Sequence, residues 1–343
     1  MSRPEKRWIV LCGLVLTIAL GLLAVPKPGW LQSGDYVNAS VQQIFDIPES
    51  ERRHIGVLDL KTYNLSREEV EQAQSISEQL RLHLGQLGLF EVIDRSRMTS
   101  IMEEVGFQYG GAEDTSASLT NIGEIMGVTE MLGGSVSKAG SLYSLQVRLI
   151  DVVTSGVIAC AFIDVTNLTD VLESGVDQVV QSLGSAVYSR MQSSLDEAGH
   201  FTFSPDLDRV GVMRLECYNV PQGVADAVTE RLGIFLGRST FAYVLERDSI
   251  EDILKVVGFQ ARQTPPGDID HAVGISRILK AKKVITGMVL QAGESYSLQI
   301  RVIDINSSST EYDAIADVGT VEELLLSAPY SVVNQLEDHY RDR

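Results

Sequence analysis

The sequence predicts an α/β protein made of two tandem repeats, each a mixed β-sheet of about five strands with helices packed on it, preceded by one transmembrane helix. Three observations predict it. An uncharged run of eighteen residues, Trp8–Val25, opens the chain. Several stretches of the remainder recur in the same order about 150 residues later. Within each copy, apolar residues switch between a spacing of two and a spacing of three and four, the periods of strand and helix.

The opening run is long enough to nearly span a hydrocarbon core. Arg3, Lys6 and Arg7 precede it and only Lys27 follows, which places the N-terminus in the cytosol and the body across the membrane. A cleaved signal peptide begins in the same way. Its small-residue cleavage site is poorly matched by Leu22-Leu23-Ala24, and Pro26 crowds it, which favours an uncleaved anchor. Leu11 before Cys12, and the early place of Cys12 in the run, exclude lipidation there. Residues 1–27 carry a net +3 against −18 for the chain, which leaves −21 for the remainder. A body this acidic repels nucleic acid and does not lie flat on an anionic membrane.

The repeat rests on four matches. Ile55-Gly-Val-Leu-Asp-Leu60 parallels Val210-Gly-Val-Met-Arg-Leu215, and Tyr63-Asn64 parallels Tyr218-Asn219 at the same offset. Val105-Gly-Phe-Gln108 recurs intact as Val257-Gly-Phe-Gln260. Tyr143-Ser-Leu-Gln-Val-Arg-Leu-Ile-Asp151 recurs as Tyr296-Ser-Leu-Gln-Ile-Arg-Val-Ile-Asp304. A unit of this length fits one domain. The chain therefore divides into an anchor (1–26), a tether (27–53), a first repeat (54–195), a linker (196–208) and a second repeat (209–343).

Each copy opens on a short apolar strand, Ile55–Leu60 or Val210–Leu215. A helix follows, with Val70, Ala73, Ile76, Leu80, Leu84 and Leu87 on one face, and Val224, Val228, Leu232 and Phe235 in the second copy. A second strand, Phe90–Ile93 or Ala242–Leu245, ends at an acid–arginine step, Asp94-Arg95 or Glu246-Arg247. A short helix runs to Val-Gly-Phe-Gln, whose glycine suits a helix C-terminus, and a polar loop and another short helix come next. Three strands complete the sheet. In Tyr143–Asp151, Leu145, Val147 and Leu149 alternate with Ser144, Gln146 and Arg148, the pattern of a half-buried strand. Ala139-Gly140 and Ala292-Gly293-Glu294 read as hairpin turns. Each copy closes on an amphipathic helix. Leu172, Val176, Val179, Leu183, Val187 and Met191 mark the first; in the second, Pro329 is either a helix start after Ser327 or a kink.

The order of strand, helix, "FEVIDRSRMTSIMEEVGFQ", loop, "IGEIMGVTEMLGGSVSKAG" and "YSLQVRLIDVVTSGV" resembles the curli-secretion component family (CsgG-like). It is also similar to the N-terminal domain of the Tol-Pal translocation protein. The acid–arginine step, the Gly134-Ser135-Val136 strand and the paired strands of "RLID…T-G" carry the resemblance, which covers nearly all of the first copy and the second more weakly. It implies a bacterial envelope domain that contacts other envelope proteins and sometimes oligomerises, without catalytic residues. Channel members of the family are lipoproteins with inserted membrane-spanning hairpins. This chain has no lipidation cysteine, and its corresponding turns have two or three residues. The expectation is a membrane-anchored scaffold or adaptor outside the cytosol, in the bacterial periplasm, that binds envelope proteins or itself. The alternative is a subunit of an oligomeric curli-type secretion complex.

Motifs for chemistry are absent. There is no phosphate-binding glycine loop with Lys-Ser/Thr, no Gly-x-Ser-x-Gly elbow and no His-Glu-x-x-His. His54, His83, His200, His271 and His339 do not recur between copies, so no metal, cofactor, small-molecule substrate or enzyme activity is expected. Cys160 and Cys217 form either one bridge or, as favoured, two small buried side chains. The repeated acid–arginine steps are candidate partner contacts through the arginine fork, or caps of the helix that follows, which is favoured. Tyr109, Gly110 and Gly111 open the polar loop that differs between copies, a second candidate partner contact. Arg148-x-x-Asp151 and Arg301-x-x-Asp304 place their charges on opposite strand faces, which predicts cross-strand salt bridges.

Overall fold

The computed structural model describes residues 45, 47–93, 127–152, 154–195, 201, 207–239, 241–245 and 281–341. Two mixed six-stranded sheets have the same strand order. In the first, β1 (Arg53–Val57), β2 (Lys61–Tyr63), β3 (Phe90–Val92), β4 (Glu130–Ala139), β5 (Leu142–Asp151) and β6 (Val157–Val165) run β3-β1-β4-β5-β6, with β2 also paired to β4. In the second, β7 (Asp208–Val212), β8 (Glu216–Tyr218), β9 (Ala242–Leu245), β10 (Lys283–Ala292), β11 (Ser295–Asp304) and β12 (Ser309–Val318) run β9-β7-β10-β11-β12, with β8 paired to β10. The opening strands pair in parallel, and β4–β5–β6 and β10–β11–β12 are antiparallel.

Six strands form where five are expected because the opening strand breaks in two. At Leu60 and Leu215 the backbone N–H leaves the sheet and donates to a helix hydroxyl, Ser77 Oγ at 3.2 Å and Thr229 Oγ1 at 3.3 Å. Strand pairing then resumes as β2 and β8. A side-chain hydroxyl that competes for a strand N–H leaves no trace in an apolar pattern. The repeat extends to backbone conformation. Among the described residues, the non-glycine residues with positive φ form two equivalent pairs, Asn64 and Asn219, and Ser155 and Ser308. Asparagine tolerates this region, and the amides of Asn64 and Asn219 donate to the carbonyls of Lys138 (2.8 Å) and Gln291 (3.3 Å).

Among the described residues, five helices cover the sheets: α1 (Arg67–Gln86), α2 (Val176–Ser193), α3 (Gln222–Arg238), α4 (Val321–Leu326) and α5 (Ala328–Arg341). Helix α2 is entered through a helical turn at Leu168–Asp170 and a π-helical turn at Val171–Gly175. Pro329 lies in the first turn of α5, the helix-start outcome of the two that the sequence allows. Helices α1 and α2 cover one face of the first sheet, where Ile76, Leu80, Leu84, Val179 and Leu183 share a core with Ile55, Val57, Leu145, Val147 and Leu149. Helices α3, α4 and α5 cover the equivalent face of the second sheet, where Val228, Leu232, Leu324 and Val332 join Ile285, Val289, Leu298 and Ile300.

Strand β5 departs from the half-buried pattern. Ser144, Gln146 and Arg148 are 0%, 1% and 7% exposed, because α3 of the second copy lies on this polar face. Among the described residues the result is a four-layer stack, helices–sheet–helices–sheet. Helix α3 sits between two sheets and is covered on both sides: thirteen of its seventeen residues are buried, the charged pair Glu230 and Arg231 among them. Val224, Val228, Leu232 and Phe235 mark only one of its two packed faces, and Ala227 and Ile234 are buried as well. Trp8–Val25 lies outside the described residues, and among those described no helix is long and apolar enough to cross a membrane.

At the start of α1 the Ser66–Glu69 capping box reaches beyond its own helix. Glu69 also accepts from Lys138 Nζ (2.8 Å) and from the Tyr143 hydroxyl, tying the helix to the β4–β5 hairpin. Burial works to raise this carboxyl, but the hydrogen bonds from Lys138, Tyr143 and Ser66 outweigh it and hold the pKa down to about 2. A depressed carboxyl contributes stability that is fully present above the ordinary value of 4.5 and is lost as pH falls through about 2. Urea unfolding across that window should show Glu69→Gln losing less stability with acidification than the parent. Parallel curves would mean that Glu69 is not held ionised by these partners.

Candidate functional site: the inter-repeat junction and two open faces

The junction begins with two adjacent charges in the middle of an apolar helix, Glu230 and Arg231 of α3, both fully buried. Glu230 pairs with Arg148 of β5 and accepts from the Tyr63 hydroxyl at 3.4 Å. Arg231 forks onto Asp164 of β6 (Nη1 to Oδ2, 2.9 Å) and donates to Ser144 Oγ at 2.6 Å. Its guanidinium lies 4.0 Å over the Phe162 ring. About two turns along α3, Arg238 donates to the Cys160 carbonyl at 3.0 Å. Removing four charged groups from water is costly, and only near-complete pairing offsets that cost. Such a seam admits one register of helix on sheet.

Contacts flank α3 at both ends. The Tyr243 hydroxyl donates to Thr154 Oγ1 at 2.7 Å, Arg209 donates to the Thr154 carbonyl at 3.3 Å, and Gly156 bridges to Leu245. Burial pushes the Tyr243 phenol up to about 12. At the other end, Glu322 accepts the Ser141 N–H (2.8 Å) and hydroxyl (3.0 Å), and that N–H holds its carboxyl below the usual range. A cavity of about 10 Å³ lies between Arg148, Thr229, Glu230 and Gly233, room for about one water. Among the described residues, no group of three or more His, Cys, Asp and Glu side chains is placed to hold a metal ion.

A second ion pair opens each sheet, fully buried in the first and half-buried in the second, and its polarity is reversed between copies. In the first sheet Arg53 of β1 pairs with the fully buried Glu130 of β4, which also accepts from Thr129 Oγ1 at 2.6 Å. Burial raises the Glu130 carboxyl, against the pull of Arg53. At the same places in the second sheet stand Asp208 and Lys283, 3.3 Å apart. Sequence reasoning missed this pair because an aligned arginine and aspartate read as a mismatch.

Several expected sites differ. Arg148 pairs with Glu230 on the covering helix, where its partner on the adjacent strand is Cys160. Arg301 does bridge, to Asp313 at 3.0 Å on the adjacent strand. Asp151 and Asp304 cap the turns that follow them, accepting from Thr154 N (2.7 Å) and Ser307 N (2.8 Å). Cys160 and Cys217 are free thiols, not a bridge, and Cys160 is buried under α3. Asp94, Arg95, Glu246, Arg247, Tyr109, Gly110 and Gly111 lie outside the described residues, as do both Val-Gly-Phe-Gln motifs.

Both ends of the stack carry exposed side chains among the described residues. The outer side of α1 exposes Leu82 and Glu78, and the outer side of β11–β12 exposes Arg301, Asp313, Ile315 and Asp317. Among the described residues, the exposed large apolar side chains are Leu82 (59%), Ile315 (51%) and, on β8, Tyr218 (50%).

The junction itself can be tested by a double-mutant cycle. Arg148→Met or Glu230→Met alone should cost about 3 kcal/mol or more, because each strands a buried charge. The double variant should recover most of that loss. Additive losses in urea unfolding would show that the two charges are not coupled.

No protein-family model and no curated protein sequence matches the chain. Among solved structures it is similar over part of its length to the LpoB C-terminal domain from Salmonella enterica, at 20% identity and a TM-score of 0.28, covering 36% of this chain and 89% of that one. It is similar to the PelC dodecamer chain from Paraburkholderia phytofirmans at 14% identity and a TM-score of 0.24, covering 40% and 88%. A third neighbour is the lipoprotein GNA1162 from Neisseria meningitidis, at 18% identity and a TM-score of 0.23, covering 42% and 99%. None of these three is a curli-secretion component or a Tol-Pal protein.

Proposed function

We propose that this chain is a membrane-anchored, non-catalytic scaffold outside the cytosol, in the bacterial envelope, that binds protein partners through its two open faces. The observation that carries the reading is the placement of Leu82 and Ile315. Two large apolar side chains stand in water, one on each end of the stack, each beside fixed charges. Flat faces of mixed apolar and charged character suit another protein surface better than a small molecule.

The anchor is residues 1–26, its basic residues on the cytosolic side and the body beyond a tether at 27–53, with repeats at 54–195 and 209–343 joined by 196–208. The steps Asp94-Arg95 and Glu246-Arg247, and the loop at Tyr109, Gly110 and Gly111, are proposed as further partner contacts. The alternative, a subunit of a curli-type secretion complex, draws on the family resemblance alone.

The test is site-specific cross-linking of the full-length protein in its own membrane. A photo-reactive residue at position 82 or 315 should yield discrete adducts. The same residue at exposed Arg341 should yield none. Chains without adducts at both faces would overturn the scaffold reading.

A further inference from the structure

The covered face of the first sheet and the bare face of the second are the same surface. Register equates Ser144, Gln146, Arg148 and Asp164 with Ser297, Gln299, Arg301 and Asp317, since Ser144 lies opposite Asp164 and Ser297 opposite Asp317. In the first copy this surface is occupied by α3. In the second it faces water at Arg301, Asp313, Ile315 and Asp317. Phe162, which packs edge-on against Phe235 of α3, has Ile315 as its counterpart.

The helix side shows the complementary asymmetry. Ser77 and Thr229 take the equivalent strand N–H and fix the alignment of α1 on α3. Glu78-x-Leu80-x-Leu82-x-Leu84-Gly85 then recurs as Glu230-x-Leu232-x-Ile234-x-Leu236-Gly237. Glu230, which grips Arg148, has Glu78 at its place, exposed on α1. Ile234, fully buried on the first sheet, has the exposed Leu82. Arg231 is replaced by Gln79, which keeps a donor for the carboxylate at Asp317. The bulk of Arg81, where α3 has Gly233, is drawn back onto its own repeat by the Val57 carbonyl (3.1 Å) and Asp59 (2.7 Å), and its other guanidinium nitrogen holds Glu78 at 3.0 Å, a half-exposed pair that docking exchanges for Arg301. Tyr63, whose hydroxyl reaches Glu230, corresponds to the exposed Tyr218. Leu82, Ile315 and Tyr218 thus all stand where the inter-repeat junction has buried or half-buried residues.

We propose that the occupant of each open face is a second copy of this chain, joined head to tail: α1 of one molecule docks on β11–β12 of the next, as α3 docks on β5–β6 within the chain. Glu78 of one copy meets Arg301 of its neighbour and repeats the Glu230–Arg148 pair. Leu82 and Ile315 are covered in the same step. This contact uses two different surfaces, so every added copy leaves one of each free, and the assembly closes as a ring or continues as a filament. The inference rests on the scaffold reading and specifies its partner.

The test uses the full-length chain in detergent, with Cys12→Ser and Cys217→Ser as background. Within the chain, the place of a side chain on Gly237 is 3.9 Å from Cys160 Sγ; the corresponding places on the open faces are Gly85 and Asp313. Gly85→Cys with Asp313→Cys should give, on mild oxidation, a reducible ladder of dimer, trimer and higher species. Neither single variant should go beyond a dimer. By light scattering, Glu78→Arg or Arg301→Glu alone should weaken association by about tenfold or more, and the two together should restore it. A folded protein that stays monomeric at all concentrations, with no ladder, overturns the proposal. If adducts at positions 82 and 315 persist in that case, the faces bind a different protein and the scaffold reading stands; if they vanish too, both fail.

Discussion

The stack depends on the burial of Glu230 and Arg231 between two sheets. Helix α3 belongs by sequence to the second copy, yet its charged pair is met by Arg148, Tyr63, Ser144 and Asp164 of the first. A helix with these residues facing water would leave the polar face of β5 without its partner, and α3 would expose Ile234. The apolar side of α3 therefore fixes the second core, and the polar seam fixes how that core sits on the first sheet. Hydrophobic burial alone tolerates sliding; a forked guanidinium on a carboxylate does not. The seam sets register where the apolar contacts set strength.

The two copies preserve interactions more faithfully than residues. Arg53–Glu130 and Asp208–Lys283 occupy the same strand starts with the charges exchanged. Ser77 and Thr229 are different residues that take the same strand N–H. Asn64 and Asn219, and Ser155 and Ser308, keep the same left-handed backbone. A buried charge without its counter-ion is penalised far more than a matched pair of either polarity. Substitutions at such places persist only as pairs, and an exchange of sign is one of the few moves open to them.

Most of the fold was legible because it rests on local periodicity. The helix at Val70–Leu87, the strand at Ala242–Leu245 and the hairpin glycines Gly140 and Gly293 follow from spacing or backbone preference, and the structure has them; of the two outcomes Pro329 allows, it has the helix start. What escaped was non-local. The break at Leu60 needs a hydroxyl seventeen residues away. Arg148 was read against its own strand, whereas its counter-charge lies 82 positions on, at Glu230. The candidate partner residues drawn from the acid–arginine steps and the divergent loop fall outside the described residues, and the faces that do emerge carry no motif. Leu82 falls off the apolar stripe of Leu80 and Leu84 by spacing, but the sequence does not say whether that side of α1 is packed, as Ile234 of α3 is, or exposed.

The strand repeated almost unchanged between the copies carries the deepest constraint. Tyr-Ser-Leu-Gln-x-Arg has one polar face, which β5 buries under α3 and β11 leaves partly in water. A face selected only for burial drifts toward apolar residues, since a buried amide without a partner costs free energy. Gln146 is such a case, for its side-chain amide has no hydrogen-bond partner among the described residues. A face selected only for solvent has no reason to keep the same serine, glutamine, arginine and aspartate at four matched places. Retention of one polar set in both environments fits a surface that must be soluble when bare and specific when covered. Arg301 meets that requirement by resting on Asp313 across the strand, a half-exposed pair of small net value that a buried helix glutamate can replace. The charge that holds the junction together inside the chain is thus already stored, in a weaker bond, on the face that remains open.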